Sequence, residues 1–348
     1  MAQKLRYDDY TVGWVCALPI ELAAAQEMLD EEHPDLEYDP TANNDENLYA
    51  LGSIGGHNVV IACLPAGQYG TNSAAVVATQ MQATFKKIRF GLMVGIGGGV
   101  PSAETDVRLG DVVVSQPHGT HGGVVQYDMG KAVPGKFERT GALNSPPRVL
   151  LAAVARVRAN ESRGRSTLYE HIAKLQGLSK FQRSKAGPDV LLDTDAGAQE
   201  PRDSEEEVAV HYGTIASGNC VIKDAAERDR LSTELGGVLC FEMEAAGLMN
   251  SFPCLVVRGI CDYADSHKHK KWQAYAAGTA AAYAKELLLV VPPAEVAKMR
   301  TVDEAVASHG SEKSPTASIG DRSYGSVMAR NVLQGQHISG GTNTWSFN

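Results

Sequence analysis

Short β-rich runs alternate with helix-like segments along most of this chain, and this alternation restricts the fold more than any other feature. It extends from Tyr10 to about Pro292 of the 348 residues. Strands that alternate with helices build a central, mostly parallel sheet with helices on both faces. The sequence therefore predicts one three-layer α/β/α domain around a mixed, mostly parallel sheet over residues 8–292.

Turn-forming residues between the runs set the expected element boundaries. The predicted strands end near Gly, Pro or a polar residue, and they are Tyr10–Cys16, Asn58–Pro65, Phe90–Ile96, Asp111–Ser115, His211–Ser217 and Cys254–Ile260. The predicted helices are Pro19–Glu32, Asn72–Phe85, Pro147–Ala159, Asp224–Glu234, Glu242–Asn250 and Lys271–Val290. The last of these is rich in Ala, which favours helix, and two consecutive prolines stop it.

Two stretches depart from the composition of the core. Residues 179–208 are polar and acidic and include Pro188 and Pro201, so we expect an exposed insertion. Beyond a short helical stretch near 294–307, the sequence becomes rich in Ser, Gly, Asn and Lys, and we expect a flexible C-terminal tail over 293–348. Residues 331–348 mix apolar and polar types and are a possible β-pairing segment, so the tail is a candidate contact for another protein.

Composition narrows the classes of partner. Hydrophobic residues make up 43% of the chain, enough for a large core, and the net charge of -9 repels nucleic acid and favours a small-molecule partner. The six cysteines occur singly, without CxxC or zinc-type spacing, which predicts buried, reduced thiols and no metal site. The sequence lacks a signal-peptide pattern and a long apolar run, so we expect a cytoplasmic protein with no membrane partner.

Several acidic residues lie in or beside strongly apolar sequence, where an ionised carboxylate needs a partner or a ligand. Glu21 follows a predicted strand in the first turn of a helix, at the sheet edge where α/β folds bind ligands. Glu242 and Glu244 point in different directions, so we expect one of them to face a ligand and the other to support local structure; a carboxylate suits a diol, because its two oxygens can accept from adjacent hydroxyls. Asp262 ends another strand, where it is placed to donate a proton if burial raises its pKa; the alternative is a structural ion pair with Arg258, four residues earlier.

Other polar segments carry weaker signals. The run Gly95-Ile96-Gly97-Gly98-Gly99 follows an apolar strand and lets a ligand approach the backbone, but it matches neither GxGxxG nor a P-loop. His118 and His121 lie in a glycine-rich segment without neighbouring acids or cysteines, which favours a loop over a metal site. We expect the polar and basic run after Asp262 to be solvated surface, including Asp265 and residues 267–271.

Taken together, these segments resemble the nucleoside phosphorylase and nucleosidase superfamily, specifically the methylthioadenosine/adenosylhomocysteine nucleosidases and a fungal branch found in immune-receptor-like proteins with NACHT or ankyrin regions. The resemblance spans about 10–292. Its most specific part is YGTIASGNCVIKD, starting at Tyr212, and GGVLCFEMEAAGLMNSFPCLVVRGICDYAD, starting at Gly236. The resemblance implies a homo-oligomer, a dimer or larger, and no cofactor.

The resemblance also implies roles for individual residues. Glu21 matches the acid that positions the attacking water, and Asp262 matches the residue that assists protonation of the purine at N7. Glu244 matches the acid that holds the ribose hydroxyls. The full set of implied substrate contacts is Glu244, Met243, Glu242, Val221, Ile222, Ile96, Gly97 and Gly98.

Departures from the family pattern decide between possible acceptors. Met93 and Ile96 stand where hexameric bacterial phosphorylases have the Arg and Ser that grip phosphate, which favours water. Val221 replaces an aromatic residue that often stacks on the base, and Asn219 replaces a common Asp. The prediction is a purine nucleosidase that releases free base and ribose. The alternatives are a phosphate-dependent purine nucleoside phosphorylase, a nucleosidase acting on ATP or another nucleotide, and a non-catalytic nucleoside-sensing module.

Overall fold

The structure is a computed structural model that describes residues 5–37, 45–189, 191, 208–268 and 270–310. Most of the predicted insertion, His269 and the predicted β-pairing segment 331–348 lie outside the described residues. The account that follows concerns the described ranges.

The bounds of the regular elements follow the sequence pattern closely in the centre of the chain. The strands are β1 Val12–Cys16, β2 Glu31–His33, β3 Tyr49–Ile54, β4 His57–Cys63, β5 Phe90–Gly99, β6 Val112–Ser115, β7 Val124–Gln126, β8 Gly130–Val133, β9 Lys136–Arg139, β10 Val210–Gly213, β11 Ile215–Ser217, β12 Cys240–Glu242 and β13 Cys254–Asp262. The α-helices are α1 Pro19–Glu27, α2 Thr71–Thr84, α3 Arg148–Glu161, α4 Leu168–Leu175, α5 Arg183–Ala186, α6 Ala225–Glu234, α7 Gln273–Leu289, α8 Pro293–Ala297 and α9 Val302–Gly310.

The long strand β5 lies at the centre of the main sheet, with β1 and β13 parallel to it on either side. The order across the sheet is β10-β6-β13-β5-β1-β4-β3-β2. The pairs β13/β6, β3/β4 and β2/β3 are antiparallel, whereas β1/β4 and β10/β6 are parallel. Near its carboxyl end β5 also pairs with β12, which leads to β11 and β7. The mixed, mostly parallel sheet is confirmed.

Two hydrophobic cores lie on opposite faces of this sheet, because successive strand side chains alternate in direction. In β1, Val12 and Trp14 belong to the core formed with α1, α3, α4 and α7, whereas Val15 belongs to the core formed with α2. Helix α7 is buried on nearly all sides, and its many alanines let it lie close to the sheet. The three-layer arrangement expected from the alternating pattern follows.

Several element predictions need correction. The glycine run is the end of β5, which continues to Gly99 instead of stopping at Ile96. The predicted helix over 242–250 is wrong: β12 ends at Glu242, and a 3₁₀ turn covers Ala245–Gly247. Pairing of Cys240 and Phe241 with β5, and of Glu242 with Ser217 of β11, extends the strand into the start of this segment. Helix α1 ends at Glu27, and the predicted strand 211–217 is divided into β10 and β11.

The predicted domain limits also change. Val296 of α8 and Val302 of α9 are buried in the cores, so residues 293–308 pack on the domain and are not part of a flexible tail. Phe181 and Ala186, in the first part of the expected insertion, are buried in the core that contains α7. Their apolar side chains outweigh the polar average of that segment.

No helix within the described ranges is long and apolar enough to cross a membrane. Among the same residues, no group of three His, Cys, Asp or Glu side chains is arranged to hold a metal ion. The expectation of uniformly buried thiols is wrong for Cys220, which is exposed, and Cys63, which is half-buried. Cys63 is the last residue of β4, and Cys220 lies three residues after the end of β11, so both are at strand ends and outside the central part of the sheet.

Candidate active site

A cavity of about 360 Å³ opens where the carboxyl ends of β1, β5 and β13 meet, beside β12. Parallel strands bring their carboxyl ends to one sheet edge, which is where open α/β sheets bind ligands. The structure brings together every site residue singled out from the sequence, and the cavity is lined by Glu21, Ile96, Gly97, Gly98, Val221, Ile222, Glu242, Met243, Glu244 and Asp262. Their individual roles stay predictions.

Glu21 is held rigidly at the floor of this cavity. Its Oε2 accepts hydrogen bonds from the backbone N–H groups of Ala17 at 2.7 Å and Leu18 at 3.0 Å, and its Oε1 accepts from that of Ile96 at 2.8 Å. The carboxyl is 3% exposed, and burial raises its pKa against the opposing effects of Arg258 and the three N–H donors. A fixed carboxyl with a lone pair still facing the cavity is suited to orient a water molecule.

Glu242 and Glu244 share the guanidinium of Arg258. Arg258 forms a buried ion pair with Glu242 and lies 3.5 Å from Glu244. Glu242 also accepts hydrogen bonds from the N–H groups of Glu244 and Ala245, at 3.0 to 3.2 Å, so protein groups occupy its oxygens. Glu244 accepts a longer bond, 3.4 Å, from the N–H of Gly70. Glu242 therefore supports the wall, and Glu244 is the better placed of the two to meet a ligand.

The electrostatics of this cluster are unusual because three buried carboxyls, those of Glu21, Glu242 and Glu244, surround the single guanidinium of Arg258. Burial raises the pKa of Glu244 to about 7, although the guanidinium opposes the rise. The other two acids add to it by like-charge repulsion. Near neutral pH the Glu244 carboxyl therefore exchanges readily between its ionised and protonated forms.

Two glycines of β5 make room for these groups. A Cβ on Gly95 would lie 2.5 Å from Oε1 of Glu21 and 2.7 Å from Nη1 of Arg258. A Cβ on Gly98 would lie 2.8 Å from Oδ1 of Asp262. The glycine run thus acts less as a phosphate-binding loop than as a flat strand end against which carboxyl groups can pack.

Asp262 ends β13, and the alternative of a structural ion pair with Arg258 is not formed, because Arg258 pairs with Glu242. In a strand, residues four positions apart are separated by about 13 Å, so the spacing that joins side chains on a helix separates them here. The Oδ1 of Asp262 accepts from the N–H of Ala264 at 2.9 Å and lies 3.1 Å from Nζ of Lys268. Ala264 also has a φ of +52°, in the left-handed region that residues other than glycine rarely adopt.

The basic run after Asp262 does not behave as plain solvated surface. Lys268 and Lys270 line the cavity, and so does Lys223 from the segment after Ile222. Asp265, also expected at the surface, is 6% exposed and accepts a hydrogen bond from the N–H of His267. The cluster of Lys and His in HKHKK indicates a possible anion contact, but a run of charged residues alone does not show which of its side chains line a cavity.

Several other residues line the cavity but were not predicted from the sequence. Tyr69 and Phe241 supply aromatic surface to the wall, and Gln273, Cys220 and Cys261 add polar or thiol groups. Tyr69 precedes α2, and a large residue 60% exposed beside a cavity offers an apolar face to a ligand. No motif spacing marks these positions, since they reach the site through tertiary packing.

Sequence comparison identifies the family of this chain. The model of the phosphorylase superfamily matches residues 11–290 of this chain. The chain belongs to the phosphorylase superfamily. This membership confirms the resemblance inferred from the FEMEAAG and VRGICD segments.

The similar proteins differ in how much of their own length this chain matches. A nucleotide-binding leucine-rich repeat (NLR)-like protein of Hyaloscypha variabilis is 51% identical over 317 residues, which cover 87% of this chain and 31% of that protein. A 5′-methylthioadenosine/S-adenosylhomocysteine nucleosidase of Mycobacterium tuberculosis is 28% identical over 302 residues, 81% of this chain and 97% of the enzyme. The ATP nucleosidase Cap17 of Escherichia coli is 28% identical over 295 residues, 80% of this chain and 51% of that protein.

Among solved structures, the superfamily fold recurs in a 5′-methylthioadenosine/S-adenosylhomocysteine nucleosidase from S. pneumoniae, with a TM-score of 0.54 at 17% identity. The match covers 81% of this chain and all of that one. Futalosine hydrolase of Helicobacter pylori gives a TM-score of 0.55, also at 17% identity. At this identity the likeness shows the fold, which agrees with the predicted nucleoside phosphorylase-like architecture.

Proposed function

We propose that this chain is a purine nucleosidase, which hydrolyses the N-glycosidic bond of an adenosine-type ribonucleoside to free base and ribose. The observation that carries the proposal is the convergence of Glu21, Glu244 and Asp262 on one cavity. Cleavage of a glycosidic bond needs a proton donor for the leaving group and a positioned nucleophile on the other side of the sugar. These acids supply both, and nucleosidases are among the relatives of known activity.

In the proposed reaction, Asp262 delivers a proton to N7 of the purine as the bond from C1′ to N9 breaks. Electrons of that bond pass to the purine, and positive charge develops at C1′ and the ring oxygen. Glu244 fixes the ribose through its hydroxyls, with Met243 against the sugar, so that this charge develops in place. Water held by Glu21 attacks C1′ and passes its proton to the Glu21 carboxylate as the bond from oxygen to C1′ forms, which yields ribose.

The other residues that line the cavity are suited to contact the base and the sugar of such a substrate. Val221 and Ile222 offer apolar surface for the base, and Val221 is half exposed in the absence of the aromatic residue often found there. Gly97 and Gly98, with Ile96, let the ligand lie against the backbone of β5. Glu242 holds Glu244 and Arg258 in position.

The acceptor in this proposal is water and not phosphate. Met93, at the position of the Arg that grips phosphate in hexameric phosphorylases, is fully buried in the core on the α2 face of the sheet. It presents no charge to the cavity. The Ile96 side chain is likewise apolar, whereas the backbone N–H of Ile96 already donates to Glu21. A phosphorylase reaction lacks its usual anion grip at these two positions.

Substitution of the two proposed catalytic acids tests this function. Asp262→Asn removes the proton donor and Glu21→Ala removes the group that holds water, so each should lower the turnover of purine release by about 10²-fold or more. The measurement is release of adenine from adenosine by the purified variants, with circular dichroism to check folding. Full activity in either folded variant contradicts the proposal.

A second candidate substrate class is supported by a separate observation. Lys223, Lys268 and Lys270 line the same cavity, and lysines are common ligands of phosphate groups. The relative from Escherichia coli is named as an ATP nucleosidase. A purine nucleotide is therefore the alternative substrate for the same hydrolytic reaction. Comparison of adenosine with its 5′-phosphates in the adenine-release assay distinguishes the two classes.

A further inference from the structure

Lys268 is in contact with the group that the proposed reaction uses as its acid. Its Nζ lies 3.1 Å from Oδ1 of Asp262, and the two side chains are 22% and 13% exposed. The same oxygen accepts the N–H of Ala264, and Oδ2 lies 3.3 Å from Sγ of Cys261. Each oxygen of Asp262 therefore already has a protein neighbour on the wall of the cavity.

This arrangement conflicts with proton donation. Oδ1 of Asp262 is occupied by the ammonium of Lys268 and by the N–H of Ala264, so this oxygen has no room to approach a purine nitrogen at the same time. Contact between Oδ1 and the purine requires the ion pair to open. Cleavage therefore requires Lys268 to leave Asp262, and a partly exposed ammonium leaves a carboxylate most readily when another anion replaces it.

The surroundings of Lys268 indicate where such an anion would bind. Lys270 lies two residues further on the same segment, and Lys223 comes from the segment that follows Ile222. Each of the three lysines lines the cavity, as Asp262 does. By contrast, Arg258 is buried between Glu242 and Glu244 and is engaged by them. The lysines, and not the arginine, form the cationic surface for a ligand.

We propose that Lys268 is a specificity-determining residue that couples anion binding to catalysis. A phosphate group in the cavity, bound also by Lys270 and Lys223, draws the ammonium of Lys268 away from Asp262. The carboxyl of Asp262 is then free to act as the acid. The inference rests on the proposed nucleosidase function and adds a reason for one substrate class to react faster. The phosphate belongs to the nucleotide substrate itself or is free phosphate bound beside a nucleoside. Both sources offer the same chemistry to the lysines.

The test compares Lys268→Met with the wild type in three assays. The first contains adenosine alone, the second contains adenosine with added inorganic phosphate, and the third contains the 5′-phosphates AMP or ATP as the substrate. In the wild type, kcat/KM for adenine release should be about tenfold or more higher when a phosphate group is present than with adenosine alone, as expected for a charge-assisted contact. In Lys268→Met this advantage should disappear, and kcat/KM for adenosine alone should rise, because no ammonium has to leave Asp262 before cleavage. Lys270→Met and Lys223→Met should each lower the advantage partially.

Lys271→Met is the matched control, because Lys271 adjoins Lys270 and is exposed but does not line the cavity. It should behave as wild type on every substrate. An advantage confined to AMP and ATP assigns the phosphate to the substrate, and one produced by inorganic phosphate assigns it to a free anion. Equal loss on all substrates in Lys268→Met, or no change on any, overturns the coupling.

A binding measurement separates this inference from the proposed function. If wild type releases no adenine from any substrate, the nucleosidase proposal fails, and calorimetric titration with ATP and adenosine still tests the lysine site. Lys268→Met should then weaken ATP binding about tenfold or more without weakening adenosine binding. Equal affinities of wild type and Lys268→Met for ATP overturn the site itself.

Discussion

At the scale of single residues, the site depends on charged side chains that pack directly against a glycine backbone, with no other side chain between them. Gly95 lies opposite Arg258 in the register of β5 and β13, and Glu21 approaches the same point from α1. The carboxyl and the guanidinium meet above a bare backbone. A methyl group at position 95 has no space, because it would contact both polar heads at less than 3 Å.

Gly95→Ala should therefore displace Glu21 or Arg258 and lower the turnover of purine release by about 10²-fold, the scale of a shift of about 1 Å in a catalytic group. Gly177→Ala is the control, since its added Cβ would lie 3.6 Å from the nearest atom at an ordinary φ. Steady-state rates for both purified variants check this. Unimpaired turnover in Gly95→Ala would show that this close approach has no catalytic importance.

Glu244 gives a prediction on pH. Its folded-state pKa of about 7 lies above the ordinary value of 4.5, so the stability that it contributes is fully present below about pH 4.5 and is lost as the pH rises through about 7. Glu244→Gln removes this dependence. The thermal midpoint of Glu244→Gln relative to wild type should therefore rise between pH 5 and pH 8. A difference that stays constant across this interval would contradict the assigned environment of Glu244.

At the scale of elements, α7 and β13 are packed in direct backbone contact. A Cβ on Gly259 would lie 1.8 Å from the carbonyl oxygen of Ala276, so the helix lies on the strand with no side chain between them. This contact fixes the strand that carries Arg258 and Asp262. The position of the site thus depends on how closely an alanine-rich helix approaches the sheet.

Gly259→Ala should force the two elements apart and lower the free energy of unfolding by about 3 kcal/mol, the upper range for overpacking of a core. Gly213→Ala is a suitable comparison, because there the nearest atom is the end of the flexible Leu239 side chain. Chemical denaturation of both variants measures the effect. Equal midpoints for the two variants would contradict the packing argument.

The sequence pattern predicted the parts of the fold that have clear periodicity or strong turn residues. The runs at β1, β13 and α7 are of this kind. It failed where tertiary contacts decide: residues 242–250 have helical propensity, but the strand that pairs Cys240 and Phe241 with β5 ends at Glu242, and only a short 3₁₀ turn follows. The alternative ion pair between Asp262 and Arg258 does not form, since the partner of a buried charge depends on neighbouring strands and not on sequence spacing.

At the scale of the whole molecule, the domain extends past the two prolines that end α7. Val296 and Val302 are buried, and the N–H of Val302 donates to the carbonyl oxygen of Ile88 at 2.8 Å. Arg89 donates to the carbonyl oxygen of Met299. The segment that contains α8 and α9 therefore covers a face of the domain next to the start of β5.

A chain truncated after residue 292 should lose the burial of these two valines and about 3 kcal/mol or more of unfolding free energy. A chain truncated after residue 310 is the control and should retain both stability and purine release. Denaturation midpoints and adenine-release rates for the two truncations measure this. If the shorter chain is as stable as the longer one, α8 and α9 are dispensable and the predicted boundary at 292 is restored.

The central claim is that Glu21, Glu244 and Asp262 together hydrolyse the glycosidic bond with water as the acceptor. The most direct test is analysis of the sugar product from adenosine, and in parallel from ATP, in buffer free of phosphate, with Asp262→Asn as the inactive reference. The account predicts adenine together with free ribose, or with the ribose phosphate that matches the nucleotide, at a rate that does not require added phosphate. Appearance of ribose 1-phosphate, formed only after phosphate is added to adenosine, would contradict it.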